Sequence, residues 1–156
     1  MNTQTVEIIP FTPELKEPIK TLNLEWLTKY FRVEEKDKLV LSNPQEEIID
    51  KGGMIFYAKY SGEIIGTVSL IKIDNDIFEL SKMAVSDKAQ GLGIGNKLLI
   101  HCMAVAEEKN IKTLILYSNR KLLSAIHLYK KFGFYEISLE DGVYDRADIK
   151  MKKILS

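Results

Sequence analysis

The sequence has few of the residues that build disulfide frameworks and metal centres. Its 156 residues include one cysteine, Cys102, and two histidines. A single cysteine cannot form an internal disulfide, and so few cysteines and histidines do not suggest a metal site. We therefore expect a domain that is held together by its hydrophobic core and that uses no metal.

The sequence also lacks an excess of charge and a long apolar run. It has 22 lysine and arginine residues against 22 aspartate and glutamate residues, so its net charge is zero. Because nonspecific nucleic-acid binding needs a basic excess, we expect no nucleic-acid partner. The longest stretch without a charged residue, Leu98–Ala106, is too short to span a bilayer, and Met1–Phe11 lacks the basic start of a secretion signal. These absences predict a cytoplasmic protein that has no membrane partner.

Turn residues and hydrophobic periodicity divide the chain into strands and helices within one domain, residues 1–156. The patterns predict seven strands, at Thr5–Ile9, Ile55–Tyr60, Ile64–Lys72, Ile77–Val85, Thr113–Ser118, Phe134–Leu139 and about Ala147–Met151. They predict helices that begin at Thr12-Pro13, with a restart or kink at Pro18, and at Asn43-Pro44, the segment after Gly95, and Leu122. The order of these elements indicates a mixed α/β fold, a sheet with helices on both faces.

A glycine-rich segment, Gln90–Gly95, lies between a predicted strand and a predicted helix. Glycines let a backbone approach an anion closely, and the N–H groups of a helix start point at it, so the segment is a candidate phosphate cradle. It matches neither the Walker loop nor the dinucleotide fingerprint, since Gln90 and Asn96 stand where these motifs need glycine. The alternative is a structural turn in which the glycines only relieve strain.

Three motifs together resemble the GNAT N-acetyltransferase superfamily. Gln90-x-x-Gly93-x-Gly95 matches its Q/R-x-x-G-x-G/A motif, and Glu79–Val85 resembles its fourth strand. The block from Asn119 to Phe134, which ends Leu128-Tyr129-Lys130-Lys131-Phe132-Gly133-Phe134, is similar to its N…A-x-x-L-Y-x-x-x-G-F pattern. The resemblance covers nearly the whole chain, and residues 10–50 fall in the variable part of the superfamily.

The resemblance implies a mostly antiparallel sheet of about seven strands that splits between strands 4 and 5 and holds acetyl-CoA, as co-substrate, in the gap. The pantetheine arm would pair with the backbone of Met83, Ala84 and Val85. The pyrophosphate would lie on the backbone N–H groups of Gln90, Gly91, Leu92, Gly93, Ile94, Gly95 and Asn96. Asn119 would contact the cofactor or a bridging water, with a helix cap as the alternative. No metal is implied.

The resemblance also assigns two catalytic side chains. Tyr129 aligns with the tyrosine that serves as general acid, and its alternative role is that of a core aromatic residue. Glu79 stands where several members place a general base, acting directly or through water, and its alternatives are a solvent-facing charge or a partner for Lys82. Strict alternation along the strand predicts that Glu79 lies on the same face as Ser81 and Met83.

These assignments imply an enzyme, an acetyltransferase that transfers the acetyl group of acetyl-CoA to a primary amine by direct attack. A non-catalytic acyl-CoA-binding or sensing domain on the same fold is the alternative. Both a small-molecule amine and a peptide amine stay open as the acceptor. A homodimer also stays open as the oligomeric state.

The acidic start of the chain bears on the acceptor. Residues 1–50 hold six lysine and arginine residues against ten aspartate and glutamate residues, a net charge of −4. The superfamily places acceptor contacts at positions that correspond to Leu24–Asp37 and Glu140–Arg146, and the first segment mixes carboxylates with aromatic residues. We therefore expect a small cationic amine. The alternative is a helix with an ordinary acidic outer face.

Overall fold

The computed structural model of the protein describes residues 5–89, 91–140 and 145–155. Within these residues, one sheet contains β1 (Glu7–Pro10), β2 (Met54–Tyr60), β3 (Glu63–Lys72), β4 (Ile77–Val85), β5 (Thr113–Ser118), β6 (Tyr135–Ile137) and β7 (Ile149–Ile154). The α-helices are α1 (Pro18–Tyr30), α2 (Glu35–Ser42), α3 (Ile94–Glu108) and α4 (Leu123–Lys131).

The strands lie in the order β1-β2-β3-β4-β5-β7-β6. Neighbouring strands are antiparallel except β4 and β5, which are parallel. A parallel pair needs a crossover connection, and α3 supplies it. The predicted mixed, mostly antiparallel sheet of seven strands is confirmed.

The helical region between β1 and β2 agrees with the prediction at its start and differs from it after α1. The expected restart at Pro18 is present, because a short 3-10 turn, Pro13–Leu15, precedes α1, which begins at Pro18, where proline suits the first position of a helix. Helix α2 begins with a capping box between Glu34 and Asp37. The helix expected to begin at Asn43-Pro44 is a single π-helical turn, Gln45–Ile49. The second helix therefore starts eight residues earlier than predicted, because the reciprocal cap was read as surface charge.

The last two strands also differ from the prediction. β6, at the edge of the sheet, covers only Tyr135–Ile137 of the predicted Phe134–Leu139. β7 is shifted along the chain, because it begins at Ile149 rather than Ala147 and ends at Ile154 rather than about Met151. The residues beside these strands belong to connections that run past the open end of the sheet. The predicted turn at Asp141-Gly142 lies outside the described residues.

Two apolar clusters lie on opposite faces of the sheet. The larger one joins the strands to α3 and α4, and its fully buried members include Leu98, Leu99, Leu114, Leu116 and Met151. The smaller one joins them to α1 and α2 through Ile19, Leu27, Leu41, Ile55 and Tyr57. The prediction of helices on both faces is confirmed, and any opening in the sheet therefore connects the α1–α2 side with the α3–α4 side.

Candidate active site

The sheet opens between β4 and β5. Their register joins Ile77–Glu79 to Thr113–Ile115 and does not continue, although β4 runs on to Val85 and β5 to Ser118. A cavity of about 240 Å³ lies in this opening, bounded by the two strand ends, α1 and α4. The split that the resemblance implied is therefore present, and the free edge of β4 faces it.

A β-bulge at Lys82 redirects the second half of β4. The register between β3 and β4 shifts there, and Lys82 has a φ of 53°, in the left-handed region. The extra residue reverses the alternation of side chains between the two faces of the sheet. Met83 therefore packs, like Leu80, with the larger apolar cluster on the α3–α4 side. Glu79 pairs with Ile71, which packs on the α1–α2 side. The expectation that Met83 shares a face with Glu79 was therefore wrong.

The glycine-rich turn leads from β4 to α3 with an open outer surface. Gly91 and Gly93 have φ values of 82° and 66°, and a Cβ at either would meet no heavy atom within 4 Å. Backbone conformation, not crowding, therefore requires glycine at both positions. Gly93 is the N-cap of α3 and has no side chain to cap it, so the N–H groups of Ile94, Gly95 and Asn96 keep no intrahelical acceptor.

The surroundings of this turn fit an anion. Nζ of Lys131 lies 3.4 Å from Oδ1 of Asn96, which places an ammonium group beside the start of α3. A Cβ at Gly95 would lie 3.2 Å from Cδ2 of Leu128, so this glycine lets α3 approach α4. Leu92 packs against the larger core cluster. Gln90 lies outside the described residues.

Tyr129 presents its phenol to the cavity. The residue is 9% exposed, and its ring contacts Phe134 at a centroid distance of 6.0 Å. Among the described residues, none forms a hydrogen bond with its hydroxyl. Burial raises the pKa of Tyr129 to about 12, so the phenol keeps its proton at neutral pH.

Glu79 is a second ionisable group of the cavity. It is 8% exposed and stands at the last paired position of β4, where the split begins. Burial raises the pKa of Glu79, while a hydrogen bond with Ser81 and the charge of Lys82 counteract this rise. A carboxylate with a raised pKa is a better proton acceptor than an exposed one.

Asn119 lines the cavity just past β5, and its side chain already has protein partners. Its Oδ1 accepts a hydrogen bond from the N–H of Lys121 at 3.0 Å. Its Nδ2 donates to the carbonyl of Arg146 at 2.7 Å. The first bond closes a turn ahead of α4, whose N-cap is Leu122 and has no side-chain cap, so Asn119 does not cap this helix. The cofactor contact stays a prediction.

A buried ion cluster forms the α2 side of the cavity. Asp37 is fully buried, and it accepts hydrogen bonds from Nζ of Lys82 at 2.9 Å and from both terminal nitrogens of Arg146 at 2.7 and 2.9 Å. Arg146 also donates to Glu34 at 2.9 Å, and Glu34 donates its N–H to Asp37. Burial alone would raise the pKa of Asp37, but the Arg146 hydrogen bond and the Lys82 charge lower it to about 2. We call these four residues, Glu34, Asp37, Lys82 and Arg146, the ion cluster.

The family of the chain follows from a comparison with known families. The model of the acetyltransferase (GNAT) family matches residues 20–134, well over half of the chain. The chain belongs to this family. The GNAT superfamily that the motifs indicated is thereby confirmed, and the chain is an acetyltransferase of this fold.

Individual relatives agree with this GNAT assignment. The probable N-acetyltransferase san of Drosophila melanogaster is 26% identical over 153 residues, which are 95% of this chain and 78% of that protein. The crystal structure of a GNAT family acetyltransferase from Staphylococcus aureus has a TM-score of 0.88 and 27% identity, covering 97% of this chain and 100% of that chain. A GNAT family acetyltransferase from Elizabethkingia anophelis with acetyl-CoA bound has a TM-score of 0.74 and 24% identity, covering 96% and 98%.

The ion cluster is the part of this GNAT site that sequence reasoning missed. Glu34 and Asp37 fall in the acidic segment Leu24–Asp37, and the motifs suggested Lys82 only as a partner for Glu79. Asp37 and Arg146 are 109 residues apart in the chain, so no spacing pattern connects them. One signal was available, because a lysine in the middle of an apolar strand is rarely buried without a partner.

Pairing also changes the meaning of the acidic first segment. Glu34 and Asp37 contribute two of its negative charges, and both carboxylates are joined to Arg146. They are therefore not a free negative surface for a cationic acceptor. The expectation of a small cationic amine stays a prediction, but it loses these two charges as its support.

In the part of the chain that the structure describes, no group of three or more histidine, cysteine, aspartate or glutamate side chains has the arrangement of a metal site. None of the helices described is long and apolar enough to cross a membrane.

Proposed function

We propose that the protein is an acetyl-CoA-dependent N-acetyltransferase that transfers the acetyl group directly to a primary amine. The observation that carries this proposal is one cavity, in the split of the sheet, that presents both a phenol with no hydrogen-bond partner among the described residues and a buried carboxylate. Membership of the GNAT acetyltransferase family supports the acyl transfer. The two side chains, Tyr129 and Glu79, are the groups that amine acylation needs.

The chain offers a fitting place for acetyl-CoA, which supplies the activated thioester. The free edge of β4 at Met83, Ala84 and Val85 provides unpaired backbone groups for an extended arm, as an added strand would use them. The turn from Gly91 to Asn96 provides N–H donors for the pyrophosphate, and Lys131 adds a positive charge beside them. Each of these contacts stays a proposal.

Glu79 takes the proton of the acceptor. A primary amine arrives mostly as an ammonium ion and must lose a proton before its nitrogen lone pair can attack the carbonyl carbon. A buried carboxylate with a raised pKa accepts that proton directly or through water. The C–N bond then forms as the C–S bond breaks.

Tyr129 stabilises the departing sulfur. Its hydroxyl has no partner among the described residues and keeps its proton, so it can donate a hydrogen bond to a thiolate and return it to a thiol. Tyr117 also lines the cavity, but its hydroxyl donates to Glu140. The two phenols therefore differ in whether the protein already uses the hydroxyl.

The test is Tyr129→Phe, which removes only the hydroxyl. We expect unchanged folding and acetyl-CoA affinity, and a loss of about 10²–10⁴-fold in kcat, the usual contribution of a general acid. Tyr135→Phe is the matched control, because Tyr135 lies on β6 with 46% exposure and does not line the cavity. Acetyl-CoA binding in calorimetry without acetylation of any primary amine would favour the acyl-CoA-binding alternative and overturn the proposal.

A further inference from the structure

The acceptor side of the cavity has an aromatic wall. The end of α1 contributes Trp26 and Tyr30, and the residue that follows the helix contributes Phe31. Trp26 and Phe31 are in edge-to-face contact at a centroid distance of 5.8 Å, and a hydrogen bond from the Trp26 indole to Asn23 fixes the tryptophan. A wall of flat rings, held in place before anything binds, fits a flat apolar body.

Two lysines lie beside this aromatic wall. Nζ of Lys121 lies 4.5 Å from the ring centre of Phe31. Nζ of Lys29 lies 5.4 Å from the ring centre of Tyr30, but it also pairs with Asp87 at 3.5 Å, which partly compensates its charge. A molecule with several ammonium groups would meet mainly the positive charge of Lys121 as it entered, and a molecule with a single ammonium group and an apolar remainder would meet less repulsion.

In the described part of the cavity, one carboxylate is left for an incoming amine. The acidic side chains among the described lining residues are Asp37 and Glu79. Asp37 accepts hydrogen bonds from Lys82, Arg146 and the backbone of Glu34, so its charge is compensated. Glu79 therefore provides a place for one ammonium group and not for two.

Contacts beside the α2 side of the cavity join the segment before α2 to the segment before β7. The carboxylate of Glu34 accepts the N–H groups of Asp145 and Arg146 at 3.1 and 3.4 Å, and the guanidinium of Arg32 pairs with Asp145 at 2.8 Å. An extended peptide that placed its terminal amine at Glu79 would have to continue past these contacts. A compact acceptor would not.

We propose, on the basis of the proposed function, that the acceptor is a small monoamine carried by a flat apolar body, with 2-phenylethylamine as the probe of this class. The amine lies at Glu79, and the ring lies against Trp26, Tyr30 and Phe31. Tyr30 is the most informative of the three rings, because it is 53% exposed and its removal does not open the core. It determines specificity and takes no part in proton transfer.

The experiment measures kcat/KM of the full chain with acetyl-CoA and three acceptors: 2-phenylethylamine, spermidine, and a short peptide with a free amino terminus. We expect the aromatic monoamine to exceed both others at least tenfold. Tyr30→Ala should lower kcat/KM for 2-phenylethylamine about tenfold, mainly through KM, since both the ring-to-ring contact and further apolar contact are lost. Tyr135→Ala, which removes an exposed tyrosine outside the cavity, should leave it unchanged.

The outcomes separate this inference from the proposed function. Faster turnover of spermidine or of the peptide would overturn the inference and leave the N-acetyltransferase proposal standing. An equal effect of Tyr30→Ala and Tyr135→Ala on 2-phenylethylamine would also overturn it. Absence of turnover with all three amines, together with acetyl-CoA binding in calorimetry, would overturn the proposed function and this inference with it.

Discussion

Asp37 is the carboxylate on which the ion cluster depends, and Asp37→Asn is the sharpest perturbation of it. Four donors converge on this side chain: the N–H of Glu34, Nζ of Lys82 and two nitrogens of Arg146. An asparagine keeps the shape but replaces one acceptor oxygen with a donor NH₂ group. It also leaves the charges of Lys82 and Arg146 in a buried place with Glu34 as their remaining partner in the cluster.

The size of the effect follows from burial. Removal of one partner of a buried ion pair costs about 3–5 kcal/mol, against a total unfolding free energy of about 5–15 kcal/mol for a natural domain. For a chain of this length, 1 kcal/mol shifts Tm by roughly 2–4 °C, so we expect Asp37→Asn to melt roughly 10 °C lower. Expression of soluble protein should also fall.

The matched control is Glu35→Gln, which makes the same chemical change in the same turn of α2. The Glu35 side chain is 89% exposed and, among the residues that the structure describes, pairs with Lys38 alone at 3.1 Å, so the effect of Glu35→Gln should stay below about 0.5 kcal/mol. Urea denaturation followed by circular dichroism measures both. An Asp37→Asn protein as stable as Glu35→Gln would refute the view that the cluster stabilises the fold.

Asp37 also determines in which direction the stability of the fold changes with pH. The pKa of Asp37 falls from 3.8 to about 2 on folding, so its contribution is complete above about pH 4 and is lost as the pH falls through 2. A shift of this size corresponds to about 2 kcal/mol. The stability gap between wild type and Asp37→Asn should therefore narrow between pH 5 and pH 2. A constant gap across this range would contradict the lowered pKa.

Two further predictions concern the proposed site. Gly93→Val should prevent acetyl-CoA binding in calorimetry, because Gly93 has a φ of 66° and its N–H neighbours form the candidate phosphate site. The control is Gly62→Val, in the β2–β3 turn, where the φ is 77°. It carries similar backbone strain away from the site and should leave the affinity for acetyl-CoA intact. Glu79→Gln should change the acidic side of the pH profile of kcat/KM, where the wild-type value rises with pH. That rise reports the loss of the Glu79 proton, at a pKa above the ordinary carboxyl value, and the variant should lack it. An unchanged rise would assign the base to another group.

Much of the fold was predictable because local signals agree with it. The alternating apolar strands from Ile55 to Val85, the glycine turn and the helix after it all have strong local patterns, and the structure has them within a few residues. The second helix was misplaced because its cap, Glu34 with Asp37, looks like ordinary surface charge in the sequence. Only the fold shows that Asp37 is fully buried.

The site was predictable where a motif carries it and not where distant residues meet. Tyr129 and Glu79 were named from the motifs, and the structure brings both to one cavity. The bulge at Lys82 was not predictable from alternation, because a single extra residue reverses the face of every residue after it. Arg146 pairs with Asp37 because the segment that leads into β7 lies against α2. No local sequence pattern encodes that contact.

Because β4 and β5 pair over only a short parallel stretch, the sheet consists of two antiparallel groups of strands, or ribbons. The short parallel pairing is the seam that joins them. β1 to β4 form one ribbon and β5 to β7 the other, and each has its own antiparallel pairing, while the seam joins only Ile77–Glu79 to Thr113–Ile115. Bending along the seam changes the width of the cavity without breaking any pairing within a ribbon. A ligand that hydrogen-bonds to the free edge of β4 and fills the gap contacts both ribbons and restricts this bending. Occupancy would thus stiffen the whole sheet, and slower amide exchange should reach strands that the ligand never touches.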